Sequence, residues 1–460
     1  MINRTVKRSI VVFSILCLGL NAGAQSELTL PFMHNLFQST YLNPTLRSEH
    51  SLSIGLPGVS SVYFQVIHNG FVPGSFLEID GRTLIVSPDK LEDQLRNRNM
   101  LHANAGFELF HLKMRIDNWN FWYAGRMNGE MNLFYPKSLF SLAIEGNTQY
   151  SGKAMDLAPL GINTSLYREH TFGASTERDQ WTFGGRASFL FGLTNIYLNP
   201  KQFEVRFDDD MYALSAVSDV TLRTSGIPGD SLSNVNFEQF SDFNSTLKYF
   251  TRSRNPGFAL SGGVSYDFDS RTRFTFAFSN LGFISWSDST KVLDLKGGAD
   301  FAGFDILTEL LAGNEINADT LIQEFTGNFE SSETAEVRYS TWLAPRFYLA
   351  ADYQLAARTQ VGVHLYSVIN RGFYPALSVG ITQGVGRALN LALSVSANQR
   401  TISNIGFGMI IKPGPFQIYL LADNLYTPIV DPFTFTNLNL RVGMNLVFGR
   451  VTPVQGLPYR

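Results

Sequence analysis

Few residues in this chain have the type and spacing needed for chemistry, and His364 is the clearest of them. It falls on the polar side of a predicted strand, beside Gln360 and Tyr366. An imidazole titrates near neutral pH, so His364 is a candidate general base for a hydrolase. A hydrogen-bonded structural histidine is the commoner arrangement at such a position, and we favour that alternative.

Three arginines, Arg186, Arg273 and Arg441, also lie on the polar sides of their predicted strands. Guanidinium groups pair readily with carboxylates and phosphates. Two of them, Arg186 and Arg441, are therefore candidate ligand-binding residues together with the histidine above. The alternative that we favour is that the arginines pair with acids such as Asp267 and Asp352 and brace the structure.

Sequence signatures of established catalytic and metal sites are absent. The chain contains no Gly-x-Ser-x-Gly nucleophile motif and no His-Glu-x-x-His zinc motif. Gly384-Val385-Gly386 lacks the third glycine of a dinucleotide-binding loop. We therefore predict that the protein is not an enzyme and has neither a cofactor nor a metal site.

The candidate residues lie on predicted strands that have two different faces. In Trp181 to Gly192, Gly257 to Phe268 and Thr272 to Gly282, large apolar side chains alternate with small or polar ones. This alternation predicts half-buried strands. Asp269-Ser270 joins the last two segments, which are therefore predicted to form a hairpin.

The same alternation recurs along the chain, most densely in its C-terminal half. Several runs reach about 9 to 12 residues, which fits the ~9–11 residues of a tilted strand that crosses a bilayer. With weaker runs the total is about 12 to 16, and we predict 14 because bacterial barrels take even numbers. The other strong segments are Leu101–Leu112, Trp119–Asn128, Phe347–Leu355, Thr359–Val368, Leu377–Gln383, Leu389–Asn398, Ile405–Lys412, Phe416–Asp423 and Leu438–Phe448.

The composition indicates that the apolar faces of these strands contact lipid. Only 16% of the residues are charged, against roughly 25% in soluble proteins, and 13% are aromatic. The polar faces are mostly Gly, Ser, Thr, Asn and Ala, which suits a crowded lumen better than a water-exposed surface. The net charge of −3 without a basic block excludes nucleic acid as a partner. We predict an all-β fold, a transmembrane antiparallel β-barrel in contact with outer-membrane lipid.

Aromatic residues and the last strand add to this prediction. The final-strand combination of Arg441, Gly443, Leu446 and Phe448 resembles the signal that the outer-membrane assembly machinery reads, so that machinery is an expected partner during biogenesis. All five tryptophans fall near predicted strand ends, where the aromatic girdles of membrane barrels lie. They are Trp119, Trp122, Trp181, Trp286 and Trp342.

The first residues have the layout of a cleaved secretory signal. Three basic residues precede an apolar run from Ile10 to Leu20 and then Ala22-Gly23-Ala24. The run is shorter than the ~20 residues of a membrane-spanning helix. Cys17, the only cysteine, lies within it. We predict that residues 1–24 are removed. Residues 25–460 then form a single domain in the outer membrane of a Gram-negative bacterium.

Three stretches depart from the strand pattern and are predicted as helical or loop insertions. Residues 70–100 contain a helix start at Ser87-Pro88-Asp89, and residues 135–147 and 291–333 have apolar residues at helical spacing. Loops of this length usually have a function or a structure of their own. We expect them to cap or plug the barrel. Asp230 to Asn255 is predicted to be a polar loop.

Five short motifs are spread in order along nearly the whole chain after residue 24. They are Tyr41-Leu42-Asn43-Pro44, Tyr135-Pro136-Lys137-Ser138-Leu139 with Glu145-Gly146-Asn147, Asn280-Leu281-Gly282-Phe283-Ile284, Thr341-Trp342-Leu343-Ala344-Pro345, and Arg441-Val442-Gly443-Met444-Asn445-Leu446. Together they resemble the exported outer-membrane β-barrels of Bacteroidota that are grouped as a domain of unknown function. That family is more distantly similar to the long-chain fatty-acid transporter barrels, which have 14 strands and an N-terminal plug, and to barrel accessories of the type IX secretion system. The resemblance implies a fold and a membrane, with the N-terminal segment partly filling the lumen as a plug, but no activity and no ligand site.

Three functional hypotheses follow. The leading one is passive or gated passage of a small molecule through the lumen, and the likeness to fatty-acid transporter barrels favours an apolar molecule. The second is a non-enzymatic scaffold or accessory of an envelope or type IX secretion complex, with an envelope protein as partner and residues 291–333 as the docking element. The third is a soluble extracellular protein that binds glycans through its aromatic residues.

Overall fold

The alternating segments pair into one large antiparallel sheet. The structure is a computed structural model, and it describes residues 27–47, 49–80, 83–145, 150–208, 214–227, 229–231, 234–235, 241–301, 330–370, 372–398, 404–424 and 436–451. The predicted leader, residues 1–24, lies outside these ranges. No helix among the described residues is long and apolar enough to span a membrane.

The strands are numbered in chain order. They are β1 (His50–Gly55), β2 (Val62–His68), β3 (Leu77–Asp80), β4 (Thr83–Val86), β5 (Asn99–Ile116), β6 (Trp119–Tyr135), β7 (Ala154–Asp156), β8 (Gly161–Arg178), β9 (Trp181–Leu198), β10 (Gln202–Phe207), β11 (Leu214–Ser225), β12 (Gly229–Ser231), β13 (Asn234–Val235), β14 (Pro256–Asp267), β15 (Thr272–Trp286), β16 (Thr290–Phe301), β17 (Glu330–Ala335), β18 (Tyr339–Trp342), β19 (Arg346–Ala356), β20 (Thr359–Ile369), β21 (Phe373–Val385), β22 (Leu389–Asn398), β23 (Asn404–Ile411), β24 (Phe416–Asp423) and β25 (Asn437–Arg450). The described helices are α1 (Pro88–Gln94), α2 (Lys137–Glu145) and α3 (Phe243–Thr251), with 3-10 turns at Leu30–Phe32, Phe37–Tyr41 and Pro73–Ser75.

The sheet closes into a barrel because the first and last strands pair. Both β1 and β2 pair with β25 on one side and with β5 on the other, so they are two halves of one barrel strand. The ring then runs through β5, β6, β8, β9, β14, β15 and β19 to β25, each antiparallel to its neighbours. These elements make fourteen barrel strands, which confirms the predicted number.

The break between β1 and β2 enters the lumen. Gly443 of β25 faces it, and a Cβ atom added there would lie 2.0 Å from the carbonyl oxygen of Ser60. Only glycine leaves room for this approach. The Tyr419 hydroxyl donates to the same carbonyl oxygen. The break is therefore held by neighbouring strands on the lumen side.

The alternation predicted from sequence is the inside-outside pattern of the wall. In β9, Thr182, Arg186 and Ser188 are buried inside, whereas Phe183 and Phe189 point outward and are exposed. The hairpin of β14 and β15 follows the same rule and is confirmed by its register. Other exposed apolar residues on the outer face include Phe64, Phe121, Phe172, Phe258, Phe274, Phe276, Val363, Val379, Leu393, Val395, Ile418, Leu440 and Val442.

The two rims of the barrel differ in their connections. At one rim, here called the turn end, strands are joined by two to four residues at β5–β6, β8–β9, β14–β15, β19–β20, β21–β22 and β23–β24. His50 and Arg450 pair at this rim. The opposite rim, the loop end, carries most of the long connections. In bacterial outer-membrane barrels, short turns face the periplasm and long loops face outward.

A second group of strands extends from the loop end. β7, β10, β11, β16 and β17 pair in that order, and β11 also pairs with the end of β9. Met155, Val205 and Phe207 form the buried centre of this sheet, with Leu142 of α2 packed against them. We call these five strands the fin.

The inserted segments are partly as predicted. Residues 70–100 and 135–147 contain α1 and α2. In contrast, Lys291 to Phe301 and Glu330 to Glu333 are strand rather than helix, because they pair with β11 and with each other in the fin. The residues between them, which carry the helical spacing, lie outside the described ranges. The predicted polar loop from Asp230 to Asn255 contains α3, whose N-cap Asp242 accepts a bond from the Ser245 amide.

Three of the five tryptophans lie at the rims on the outer face, namely Trp119, Trp181 and Trp342. The prediction is wrong for Trp122 and Trp286, which are buried inside. Trp122 is an odd number of residues from Trp119, so alternation turns it inward. The buried Trp286 lies beyond Asn280, whose φ of 62° accompanies a shift in the register with β14 and reverses the inward parity of β15.

Candidate functional site

The N-terminal segment occupies the barrel lumen. Residues 27–47, here called the plug, are nearly all buried and run through two short 3-10 turns. The Ser39 hydroxyl lies 2.8 Å from the Met33 carbonyl and 3.0 Å from the Leu30 carbonyl, so it ties the two turns together. The plug thus has a compact local structure inside the lumen.

The middle of the plug rests on an apolar part of the inner wall. Leu30, Phe32, Met33 and Leu36 are almost fully buried. Burial of such side chains is worth about 1.5–3 kcal/mol each. They contact inward residues of β15 and β19–β24, which are Ala277, Tyr348, Ala350, Tyr366, Val368, Tyr374, Ala376, Ala392, Ile410, Tyr419 and Leu421.

Phe37 attaches the plug to the β1–β5 side of the wall. Its ring stacks on His111 with centroids 3.8 Å apart and planes 16° apart. His111 Nδ1 is hydrogen-bonded to Glu108, and its Nε2 lies 3.0 Å from the Ser53 hydroxyl. Glu108 also accepts from the Tyr41 hydroxyl of the plug. We call Phe37, His111 and Glu108 the Phe37 clamp.

A β-bulge in β5 makes this clamp possible. Residues three apart on a regular strand point to opposite faces. The register between β5 and β6 shifts between Glu108 and Phe110, which inserts one residue and brings Glu108 and His111 to the same inner face. Sequence reasoning based on strict alternation therefore missed the pair.

Ser53, His111 and Glu108 have the residue types of a hydrolytic triad. Phe37 covers the imidazole, and the cavity beside Ser53 has a volume of only about 10 Å³. This space is barely that of one water molecule. A substrate carbonyl group cannot reach Ser53 while the plug is in place, so the three residues hold the plug.

Phe32 attaches the plug to the opposite wall in the same way. Its ring stacks on His364 with centroids 4.1 Å apart and planes 16° apart, and His364 Nε2 lies 2.9 Å from Asp352. Gly380 leaves room for the ring, because a Cβ atom there would lie 2.7 Å from it. We call Phe32, His364 and Asp352 the Phe32 clamp.

His34 of the plug lies next to this clamp. Its Nε2 is 3.9 Å from Asp352 and has no hydrogen-bond partner among the described residues. Burial lowers the pKa of His34 from 6.5 to about 4, although the Asp352 carboxylate opposes this shift. His34 is therefore neutral at pH 7 when the plug is docked.

Ion pairs and charged hydrogen bonds attach the two ends of the plug. At its start, Glu27 pairs with Arg441. The amides of Leu28 and Thr29 donate to Asp423 at 2.8 and 3.0 Å. At its end, Arg47 pairs with Asp267 at 2.7 Å and with Glu177 at 3.2 Å.

The three predicted lumen residues all face inward, and each contacts the plug. Arg441 binds Glu27, His364 lies under Phe32, and Arg186 donates to the Thr40 carbonyl at 3.4 Å. The bracing alternative holds for Arg273, which pairs with Asp267 at 2.6 Å. The role of the first three in ligand binding stays a prediction.

One cavity lies on each side of the plug. The turn-end cavity, of about 390 Å³, has Phe32, Met33, His34 and Asn35 of the plug among its lining residues. The loop-end pocket, of about 330 Å³, is lined by polar residues of β6 and β8 and by the inward Thr341 of β18. The described residues contain no group of three or more acids, histidines or cysteines able to hold a metal ion.

Comparisons with known proteins agree with the resemblance found in the sequence. A sequence profile described as "Family of unknown function (DUF5723)" matches residues 44–423. None of the curated proteins matches the chain.

Solved structures give only distant likenesses. The toluene transporter TodX of Pseudomonas putida is 8% identical with a TM-score of 0.43 over 90% of this chain and 94% of that one. The toluene transporter TbuX of Ralstonia pickettii is 8% identical with a TM-score of 0.42 over 93% and 96%. The KdgM porin is 9% identical with a TM-score of 0.26 over 61% and 92%. These values are too low for a functional inference, and the fold rests on the strand pairings above.

Proposed function

The chain belongs to the DUF5723 family of unknown function, and from this premise we propose that it is a gated outer-membrane channel. In this proposal a small molecule passes passively through the lumen once the plug has moved. The protein performs no catalysis. The observation that carries the proposal is a lumen closed by a segment that is attached through side chains rather than built into the wall.

The outer face supports the membrane location. Rows of exposed Phe, Leu, Val and Ile cover the strands, and three tryptophans lie at the rims. Such a surface would aggregate in water but is stable in lipid. It argues against the soluble glycan-binding alternative. Polar or charged side chains line both cavities, among them Arg358 and Asn390 in one and Glu130 and Asn132 in the other, and they favour a small solute with polar groups over a purely apolar one.

A reversible disulfide between plug and wall tests the gating step. The hydroxyls of Thr29 in the plug and Ser394 in β22 are 2.8 Å apart, so the pair Thr29→Cys with Ser394→Cys can form a cross-link. A matched control is Thr171→Cys with Ser188→Cys, whose hydroxyls are 2.7 Å apart within the wall. Cys17 is the only natural cysteine and lies in the predicted leader, so residues 25–460 contribute no competing thiol.

The measurement is current and solute flux across a planar bilayer, before and after reduction. We expect opening events in the reduced Thr29/Ser394 variant and none when it is oxidised, because the cross-link holds the plug. The Thr171/Ser188 control should open in both states. If the oxidised plug variant conducts like the control, passage does not require plug movement and the gating proposal fails.

The fin favours a second candidate function, a scaffold for an envelope complex. Within the described residues, β17 pairs only with β16, and its residues Ser332 to Ala335 are exposed. An exposed strand edge can pair with another chain. A photo-crosslinking residue at Glu333, compared with one at the lipid-facing Phe258, tests this in cells. A protein adduct at Glu333 alone supports the scaffold, and equal results at both positions contradict it.

A further inference from the structure

The turn-end cavity has a charge that its neighbours do not balance. Arg358, Arg387, Lys412 and Arg450 all line it. Among the described lining residues Glu49 is the one acid, and it is paired with Lys412 at 3.1 Å. The remaining three arginines leave a net positive charge at one mouth of the lumen.

Two of these arginines are available to a ligand. Arg358 donates to the Gly386 carbonyl at 2.9 Å, whereas no described residue forms an ion pair with Arg387 or Arg450. Both side chains are exposed at the rim. Guanidinium groups bind carboxylates and phosphates in a two-pronged geometry. The rim therefore presents donors suited to an anion.

The floor of the cavity is different from its rim. Phe32, Met33 and Ile410 supply apolar surface, and Asn35 and Asn390 supply amide groups. His34, which lines the same cavity, has its Nε2 atom buried without a hydrogen-bond partner. A ligand with an uncharged body can lie on this floor while its charged end remains at the rim.

The cavity lies inside the lumen mouth rather than on the lipid side. Its strand residues Gln354, Gln360 and Asn390 belong to the inward rows of β19, β20 and β22. At about 390 Å³ it falls in the size range of ordinary small-molecule sites. Lipid headgroups lie outside the barrel, so they can approach the exposed arginines at the turn end only from the outer side of the turns.

We propose that the turn-end cavity binds a small organic anion with two or more negative charges, a phosphate ester or a polycarboxylate. Its charged end lies among Arg358, Arg387 and Arg450, and its body lies against Phe32 and Met33 of the plug. Binding here does not depend on whether the lumen conducts, so this proposal and the channel proposal can fail separately.

Calorimetry on the full chain in phosphatidylcholine nanodiscs tests the site, with phenyl phosphate as the probe. We expect saturable binding that weakens in high salt, because exposed charges are screened. The double variant Arg387→Gln, Arg450→Gln should bind roughly tenfold or more weakly, since two charge-assisted contacts are lost. The control variant Arg271→Gln changes an exposed arginine at the same rim that does not line the cavity, and it should bind normally.

Other probes separate the alternatives. Benzyl alcohol has a similar ring without the charge and should not bind, and inorganic phosphate should bind more weakly than phenyl phosphate. Equal affinity of the double variant and the wild type, with both barrels folded as judged by heat-modifiable gel migration, overturns the site. Binding that disappears when phosphatidylglycerol is added to the nanodiscs shows that lipid headgroups fill the rim, and it overturns a soluble ligand.

Discussion

The Phe37 clamp and the Phe32 clamp use the same three chemical groups but differ in how completely they are enclosed. In each, a plug phenylalanine stacks on a wall histidine that is bonded to a carboxylate. Both nitrogens of His111 have partners, whereas His364 Nδ1 has none among the described residues.

The two clamps also differ in the free space beside them, and the Phe37 clamp again is the more enclosed. The space beside the Phe37 clamp is about 10 Å³, whereas Phe32 borders the cavity of about 390 Å³. A hydrogen-bonded network without space to relax is costly to break, because its groups would be left buried and unpaired. We infer that the plug is released first on the Phe32 side.

The largest effect is expected for Glu108→Gln. Tyr41 donates to Oε2 of Glu108 and His111 Nδ1 is bonded to Oε1, whereas glutamine has an acceptor oxygen at only one of these two positions. Loss of a buried charged partner costs about 3–5 kcal/mol. Hydrogen exchange of residues 37–47 should rise strongly, while Glu130→Gln, a loop-end carboxylate outside the plug contacts, should leave it unchanged. Unchanged exchange in Glu108→Gln would remove the basis of the comparison.

Asp352→Asn should have a smaller effect. It weakens one hydrogen bond to His364 beside an open cavity, and bonds to charged groups are worth about 1.5–3 kcal/mol. Exchange should rise around Phe32 to Asn35 and much less around Phe37. If exchange rose more around Phe37 than around Phe32 to Asn35, the plug would be released first on the Phe37 side.

Acid should weaken the Phe32 side selectively through His34. The docked plug holds the pKa of His34 at about 4, against 6.5 in solvent. Below pH 6.5 the undocked plug binds a proton that the docked plug does not, so docking weakens as the pH falls towards 4. Between pH 7 and 5 the loss is at most about 2 kcal/mol.

Channel opening at pH 7 and pH 5 measures this effect. The groups around His34 are Asp352, His364 and Arg273, and each is retained in the variant His34→Gln. This variant should open equally at both pH values. A pH dependence that persists in His34→Gln would assign it to one of the other groups.

Ser53→Ala should have the smallest effect and make the two clamps more alike. It leaves His111 Nε2 unpaired, as His364 Nδ1 already is. We expect a loss of about 1 kcal/mol in barrel stability, measured by the temperature at which heat-modifiable migration is lost. A loss as large as that of Glu108→Gln would mean that the hydroxyl is essential to the clamp.

The strand pattern and the barrel follow from the sequence because alternation is a local signal. Phe183 and Arg186 fall on opposite faces by counting alone. The fin was missed since Lys291 to Phe301 carries no strong alternation and acquires its strand form from pairing with β11. Neither segment alone contains a sequence signal that predicts its pairing with a distant strand.

The plug contacts were only partly predictable for the same reason. His364 and Arg441 were found on polar faces, but Glu108 and His111 share a face only through a bulge. Bulges shift parity without a clear sequence signal, as Trp286 also shows beyond Asn280. The contacts between individual plug and wall residues also depend on how the barrel closes, which no local sequence pattern specifies.

The attachment of the plug has a consequence for the order of assembly. Leu28 and Thr29 bind Asp423, and Glu27 binds Arg441, across sequence separations of 394 to 414 residues. Contacts between such distant segments form slowly, because the intervening chain must first be ordered.

These contacts also require that β24 and β25 have been delivered to the membrane. The segment that is synthesised before any strand therefore reaches its final position after the last strand has closed the ring. Until then the plug lacks its contacts with Asp423 and Arg441, so we expect the lumen to be incompletely closed during assembly. Conditions that stall closure at β25 should yield an inserted but leaky protein before they yield an unfolded one.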